Sequence, residues 1–339
     1  QGDSFMYMDG KVILVTGGTG SFGKKFTRTL LETHNPKAVR IFSRGEYLQY
    51  QMRQEFDDDL RLRFFIGDVR DRERVYRAMN GVDIVVHAAA LKQVPTCEYN
   101  PIEAIKTNID GSANVIDAAI DNGVEKVMAI STDKAVQPVN LYGATKLVAE
   151  KLFVQANAYT GSRKTKFSVV RYGNVVGSRG SVVPLFLTQR EKGRITLTDE
   201  RMTRFWITLE QGVRFVIDSI GRMQGGEIFV PKIPSMRLVD LADVLAPGIC
   251  KETIGIRPGE KLHECLITAE EARHAREYDG FYVIEPEHSF WKKDDGDGGK
   301  PLPDGFCYTS DSNGWWLTGE ELKDMVESLD DYAKQGKVN

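Results

Sequence analysis

Five side chains near the middle of the chain have the types that acid–base chemistry needs: Thr132, Asp133 and Lys134 in one run, then Tyr142 and Lys146. Tyr142 and Lys146 are four positions apart, a spacing that sets them side by side on one helix face. A phenol titrates near 10 in water, so making phenolate at pH 7 costs roughly 4 kcal/mol. A neighbouring ammonium and a cationic cofactor ring would supply that stabilisation. Asp133 and Lys134 add a candidate acid and a candidate base. The plain alternatives are a surface helix for the Tyr–Lys pair, and an exposed turn in which Asp133 and Lys134 neutralise each other.

A second cluster precedes these. Gly17, Thr19, Gly20, Ser21, Phe22 and Gly23 lie in the run Thr16-Gly17-Gly18-Thr19-Gly20-Ser21-Phe22-Gly23, directly after an apolar strand-like stretch and at the start of a helical one. Such a turn lets backbone approach a pyrophosphate, which then rests on the helix N-terminus where unpaired N–H groups favour negative charge. About 20 residues beyond the glycines of such a turn, an acidic residue reads the ribose 2'-hydroxyl. Here that place holds Ser43 and Arg44. A hydroxyl and a guanidinium fork suit a 2'-phosphate, which favours NADP over NAD. The open alternative is a solvated Arg44, with Glu46 on the ribose.

These residues need a scaffold, and the first half of the chain supplies one. Short Val- and Ile-rich runs at 11–16, 38–42, 63–66, 84–88, 126–131 and 167–172 alternate with helical stretches at 24–33, 46–56, 72–79, 101–122 and 142–160. That alternation predicts an α/β fold, a doubly wound parallel sheet of the Rossmann type with helices on both faces. Residues 9–177, joined by a helix and a strand within about 205–232, form the expected dinucleotide-binding domain. Residues 178–204 and 233–330 form a smaller interleaved substrate domain, and residues 1–8 a short leader. The sheet is expected to be complete with the strand at 227–230.

The chain has 339 residues, 45 basic and 48 acidic side chains, a net charge of -3 and 41% hydrophobic residues. Its mean hydropathy is -0.32. These values describe a soluble globular protein of about two domains. They argue against a duplex-coating nucleic-acid binder, and the apolar runs fall short of a membrane span. Cys97, Cys250, Cys265 and Cys307 show no CxxC spacing, and His263-Glu264 lacks the second histidine of HExxH, so no metal is expected and a reducing cytoplasm is the expected setting.

The motifs together carry a family resemblance. The Gly-rich run, Asp68-Val69, His87-Ala88-Ala89-Ala90 and Tyr142-Gly143-Ala144-Thr145-Lys146 resemble the extended short-chain dehydrogenase/reductase superfamily. Ser131-Thr132-Asp133-Lys134-Ala135, Arg171-Tyr172-Gly173-Asn174-Val175 and the segment from Arg257 to Glu264 narrow the likeness to the C5-inverting UDP-N-acetylglucosamine 4,6-dehydratases that begin pseudaminic acid synthesis. The resemblance runs from about residue 9 to residue 329.

It implies a cytoplasmic homo-oligomer, a hexamer, acting on UDP-N-acetylglucosamine. Asp68, Val69, Ala88, Ala89, Ala90, Lys92 and Val175 would join the cofactor site. Lys92 and Asn174 would approach the sugar, Thr198 the uridine, and Arg204 and Arg257 the diphosphate. Asn108 would support the active-site backbone. In the implied cycle, Tyr142 takes the 4-hydroxyl proton as hydride leaves C4, Lys134 removes the C5 proton, and Asp133 protonates the departing 6-hydroxyl. Hydride then returns to C6, so the net reaction is that of a lyase. Related sugar 4,6-dehydratases carry Glu where Lys134 stands, so Lys134 would have to work as a neutral amine with a lowered pKa. Retaining relatives tend to have Met in place of Tyr142. The competing readings are a UDP-hexose 4-epimerase with the same Tyr–Lys pair, and an NADP-sensing regulator without turnover.

Overall fold

The computed structural model describes residues 7–176, 182–287 and 298–325. Six parallel strands form its centre: β1 (Val12–Thr16), β2 (Ala38–Ser43), β3 (Leu62–Ile66), β4 (Ile84–His87), β5 (Lys126–Thr132) and β6 (Lys166–Tyr172). They lie in the order β6-β5-β4-β1-β2-β3. All four residues of β4, and Ile13 to Thr16 of β1, are buried, as expected of strands covered on both faces. The chain runs outward from β1 to β3 and then crosses to β4 on the other side of β1. Ligands bind beyond the carboxyl ends of strands at such a reversal, and Thr16, His87 and Thr132 all stand there.

The sheet is longer than expected. Ile228–Pro231 adds to β6 in parallel, then Phe281–Ile284, Ala275–Tyr278 and Lys300–Pro301 continue it in antiparallel fashion. Residues 275–284 were assigned to the smaller domain, yet they complete the large sheet. The overlooked signal is Asp279-Gly280 just before the apolar run Phe281–Ile284, a hairpin dipeptide whose glycine takes φ +78° here. A separate, smaller core gathers Val183, Phe186, Ile195, Leu197, Trp206, Met236 and Leu241. The expected boundary after residue 177 lies outside the described residues. Residues 7 and 8, expected in a leader, belong to the folded domain: Met8 is buried in the main core and Tyr7 Oη donates to Glu125 Oε2 at 3.0 Å.

The stretch at 101–122 is helical throughout, as expected, but with a wide turn inside it. It divides into Pro101–Ile105, a π-helical turn at Lys106–Asp110, and Gly111–Asn122. The wide turn directs Asn108 inward, where Oδ1 accepts from Leu91 N–H at 2.8 Å while Nδ2 donates to Leu91 O at 2.8 Å and to Thr145 Oγ1 at 3.0 Å. Asn108 therefore ties the loop after β4 to the Leu141–Ala156 helix. That helix begins where Asn140 Oδ1 accepts from Gly143 N–H at 2.7 Å.

Candidate active site

A cavity of about 730 Å³ opens at the carboxyl ends of the parallel strands. Every residue expected to touch the dinucleotide, from Gly17 in the first turn to Val175 after β6, lines it. Gly17 adopts φ +66°, and a Cβ there would stand 3.0 Å from the backbone of Ala89. The helix Ser21–Thr33 follows with no acidic side chain in its first turn, so its N-terminus offers N–H groups to an anion without repulsion. Three residues that line the cavity also carry a buried polar atom with no hydrogen-bond partner in the protein, Thr107 Oγ1, Ser131 Oγ and Asn174 Nδ2, which suits a site that holds a polar ligand. The residues present thus fit a dinucleotide with a second polar ligand beside it.

The acid–base residues converge at the same end. Thr132 Oγ1 donates to Asp133 Oδ1 at 2.9 Å, and Lys134 Nζ donates to the same oxygen at 3.0 Å and to Asn174 Oδ1 at 3.1 Å. Asp133 is fully buried and its Oδ2 has no partner. A Cβ at Gly143 would collide with the carbonyl oxygen of Lys134, so glycine lets the Asp133–Ala135 turn press against the helix carrying Tyr142. Tyr142 and Lys146 both lie buried in Leu141–Ala156 and both line the cavity. Beneath the glycine turn, His87 Nδ1 pairs with Thr16 Oγ1 at 2.8 Å. Burial and the nearby Lys146 push the imidazole down to about 3, which keeps it neutral.

Electrostatics separate the two lysines. Burial lowers Lys146 to about 8, against a smaller pull upward from Glu150. Burial also works against the ammonium of Lys134, but the carboxylates of Asp133 and Glu264 outweigh it and raise the pKa. This corrects the expectation of a lowered pKa at Lys134: its two carboxylate neighbours hold it charged. Tyr142 is pushed up to about 12 by burial, opposed by the Lys134 ammonium and a hydrogen bond with Thr132. The cation acting on it is therefore Lys134 where Lys146 was expected, and further positive charge is needed to bring the phenol toward neutral pH.

Thr198, Arg204 and Arg257 do not line this cavity. Arg204 donates to the carbonyl oxygens of Thr203, Lys261 and Leu262 at 2.7, 3.0 and 3.2 Å, so its guanidinium is committed to the 261–262 backbone. Arg257 is half-exposed, 4.0 Å from Glu260. Two residues that sequence reading gave no role stand close instead: Lys261 donates to Val136 O, and Glu264 is buried 3.7 Å from Lys134 Nζ. Among the described residues no group of three or more His, Cys, Asp or Glu could hold a metal ion, and no helix is long and apolar enough to cross a membrane.

Residues 13–286 match the model of the polysaccharide biosynthesis protein family. The chain belongs to that family. Within it, the chain is 52% identical over 331 residues to the UDP-N-acetylglucosamine 4,6-dehydratase (inverting) of Campylobacter jejuni subsp. jejuni serotype O:2, covering 95% of this chain and 99% of that one. It is 44% identical over 287 residues to the UDP-glucose 4-epimerase of Rickettsia canadensis, covering 82% and 84%. Among solved structures, DesIV (dTDP-glucose 4,6-dehydratase) from Streptomyces venezuelae with NAD and TYD bound superposes with a TM-score of 0.67. It is 25% identical, and the match covers 74% of this chain and 86% of that one.

Proposed function

We propose that this protein is a C5-inverting UDP-N-acetylglucosamine 4,6-dehydratase, and that its resident dinucleotide is NADP. The observation that carries the reading is that Lys134 and Tyr142 line one end of the dinucleotide cavity with the buried Asp133 bonded to Lys134 behind them, in a chain whose likeness to the Campylobacter dehydratase spans nearly its whole length. When bound, the nicotinamide supplies a hydride acceptor for C4 and a hydride donor for C6.

The chain's own residues do the proton chemistry. Tyr142, held by Thr132 and beside the Lys134 ammonium, accepts the 4-hydroxyl proton at Oη. The ketone formed at C4 acidifies the C5 hydrogen, and Lys134 Nζ takes that proton once it has become an amine. Lys134 passes the proton it has taken from C5 to Asp133 Oδ1 along the 3.0 Å hydrogen bond between them, and Asp133 gives it to the 6-hydroxyl, which leaves as water. A proton delivered to C5 from the opposite face gives the L-sugar. Arg44 lines the cavity whereas Glu46 does not, which supports a 2'-phosphate on the cofactor. By family resemblance the enzyme acts as a homo-hexamer at the head of pseudaminic acid synthesis, and its four free cysteines suit a reducing cytoplasm.

The Rickettsia relative favours a second reading, a UDP-hexose 4-epimerase. An epimerase needs the hydride exchanger and Tyr142 but has no use for an acid and a base at Asp133 and Lys134. Mass spectrometry after incubation with UDP-N-acetylglucosamine separates them: the proposed enzyme yields a product lighter by one water, and a product of unchanged mass that co-elutes with UDP-N-acetylgalactosamine overturns the proposal.

A further inference from the structure

Lys134 is charged in the resting site, yet a base must be neutral, so its proton needs a destination. Glu264 is 3% exposed and belongs to a segment remote in sequence. Ser310 fixes it at the backbone, where Oγ accepts from Glu264 N–H at 2.9 Å and Ser310 N–H donates to Glu264 O at 2.8 Å. Three cations face its carboxylate: Lys134 and Arg204 stand 3.7 Å from Oε1, and Lys261 stands 3.8 Å from Oε2. Asp133 faces it as well, from the turn after β5. None of the three cations is within hydrogen-bonding distance of the carboxylate. Lys134 donates to Asp133 and Asn174, Arg204 to backbone carbonyls, and Lys261 to Val136 O. Glu264 Oε2 is buried with no hydrogen-bond partner. A carboxylate placed only to neutralise cations would bond them directly; this one keeps its lone pairs unused beside the ammonium that must shed a proton.

We propose that Glu264 is a positioning residue that accepts the proton Lys134 gives up, so that the Lys134 amine can act as base. The assignment rests on the reading of Lys134 as the C5 base. One N–H bond of Lys134 breaks and one O–H bond to Glu264 Oε1 forms. An ammonium and a carboxylate become an amine and a carboxylic acid, and the net charge of the cluster does not change. Burial, and then the charge of Asp133, raise the pKa of Glu264, which makes it a better proton acceptor than an ordinary carboxylate.

Because the proton stays within the pair, the amine fraction of Lys134 should not depend on pH near neutrality. Two measurements on the full chain test this with Glu264→Gln, which keeps the side-chain shape. In cofactor-free protein, acetic anhydride acetylates Lys134 only as the free amine, and peptide mass spectrometry reads the rate. In the loaded enzyme, incorporation of solvent deuterium at C5 of UDP-N-acetylglucosamine reads proton abstraction. Both rates are expected to be flat from about pH 6 to 8 in the wild type. In Glu264→Gln both fall by about a hundredfold at pH 7 and climb about tenfold per pH unit, since the proton must then leave to solvent. Glu264→Asp, which also serves if the glutamine variant does not fold, restores the flat profile at a reduced rate. A flat wild-type-like profile in Glu264→Gln overturns the proposal. So does faster acetylation at every pH, the mark of a carboxylate that merely holds Lys134 charged. A wild type that removes no water from the sugar removes the parent reading, and this assignment with it; the acetylation measurement needs no substrate, so the two failures are told apart.

Discussion

Lys146 donates from Nζ to the carbonyl oxygen of Ile130 across 2.6 Å, which ties the helix carrying Tyr142 to the end of β5, where Thr132 and Asp133 emerge. The same bond holds the ammonium in a buried place between the helix and the strand. The cost of that burial makes it a lysine poised near neutral pH.

Lys146 titrates at about 8 in the folded protein and near 10.5 when unfolded. The unfolded chain therefore binds more protons between these values, and stability rises with pH across that window. Below pH 8 the burial cost is fully present; by pH 10.5 it has gone. In urea unfolding, the stability of the wild type relative to Lys146→Met should rise by about 3 kcal/mol between pH 7.5 and 10.5. A pH-independent difference would contradict the assigned environment.

Lys134→Ala should leave NADP binding within about threefold of wild type, because it leaves intact the glycine turn and Arg44, where the phosphates and ribose would rest. Removing the base lowers turnover by about 10² to 10⁴. Calorimetric titration and a coupled turnover assay measure the two quantities on one preparation. Normal turnover would take Lys134 out of the mechanism.

Arg44 lines the cavity beside Ser43, whose hydroxyl accepts from Gln49 Nε2 at 3.0 Å. Arg44→Ala should weaken NADP by about 1.5–3 kcal/mol, the worth of a hydrogen bond to a charged group, and leave NAD nearly unchanged. Equal losses for both cofactors would show that Arg44 does not read the 2'-phosphate.

Arg171 is 1% exposed and bridges Glu150 of the Leu141–Ala156 helix to Glu271, with its Nη2 bonds measuring 2.7 and 2.8 Å. Removing one member strands a buried charge, so Glu150→Ala should cost about 3–5 kcal/mol in urea unfolding. Glu55→Ala, which breaks a solvent-facing pair with Lys24 and Arg28, should cost no more than about 1 kcal/mol.

Local pattern made much of this site readable in advance. The strand, glycine turn and helix from Val12 to Thr33 are contiguous, and the spacing of Tyr142 and Lys146 is a property of one helix, so both could be read from neighbours in the chain. Three features were not readable. Glu264 reaches Lys134 from 130 residues away, and nothing adjacent to it in sequence encodes that approach. The turn at Lys106–Asp110 interrupts a stretch whose periodicity reads as one continuous helix. The charge of Lys134 depends on two carboxylates brought together only by folding, so residue types alone pointed to the opposite protonation state.

Proton NMR of UDP-N-acetylglucosamine turnover in deuterated water tests the central claim most directly, because it reads elimination, exchange at C5 and ring configuration in one spectrum. The expected product is a 4-keto-6-deoxy sugar with a C6 methyl group, one deuterium at C5 and the L configuration. A UDP-N-acetylgalactosamine product that keeps its 6-hydroxyl and its C5 hydrogen would contradict the account.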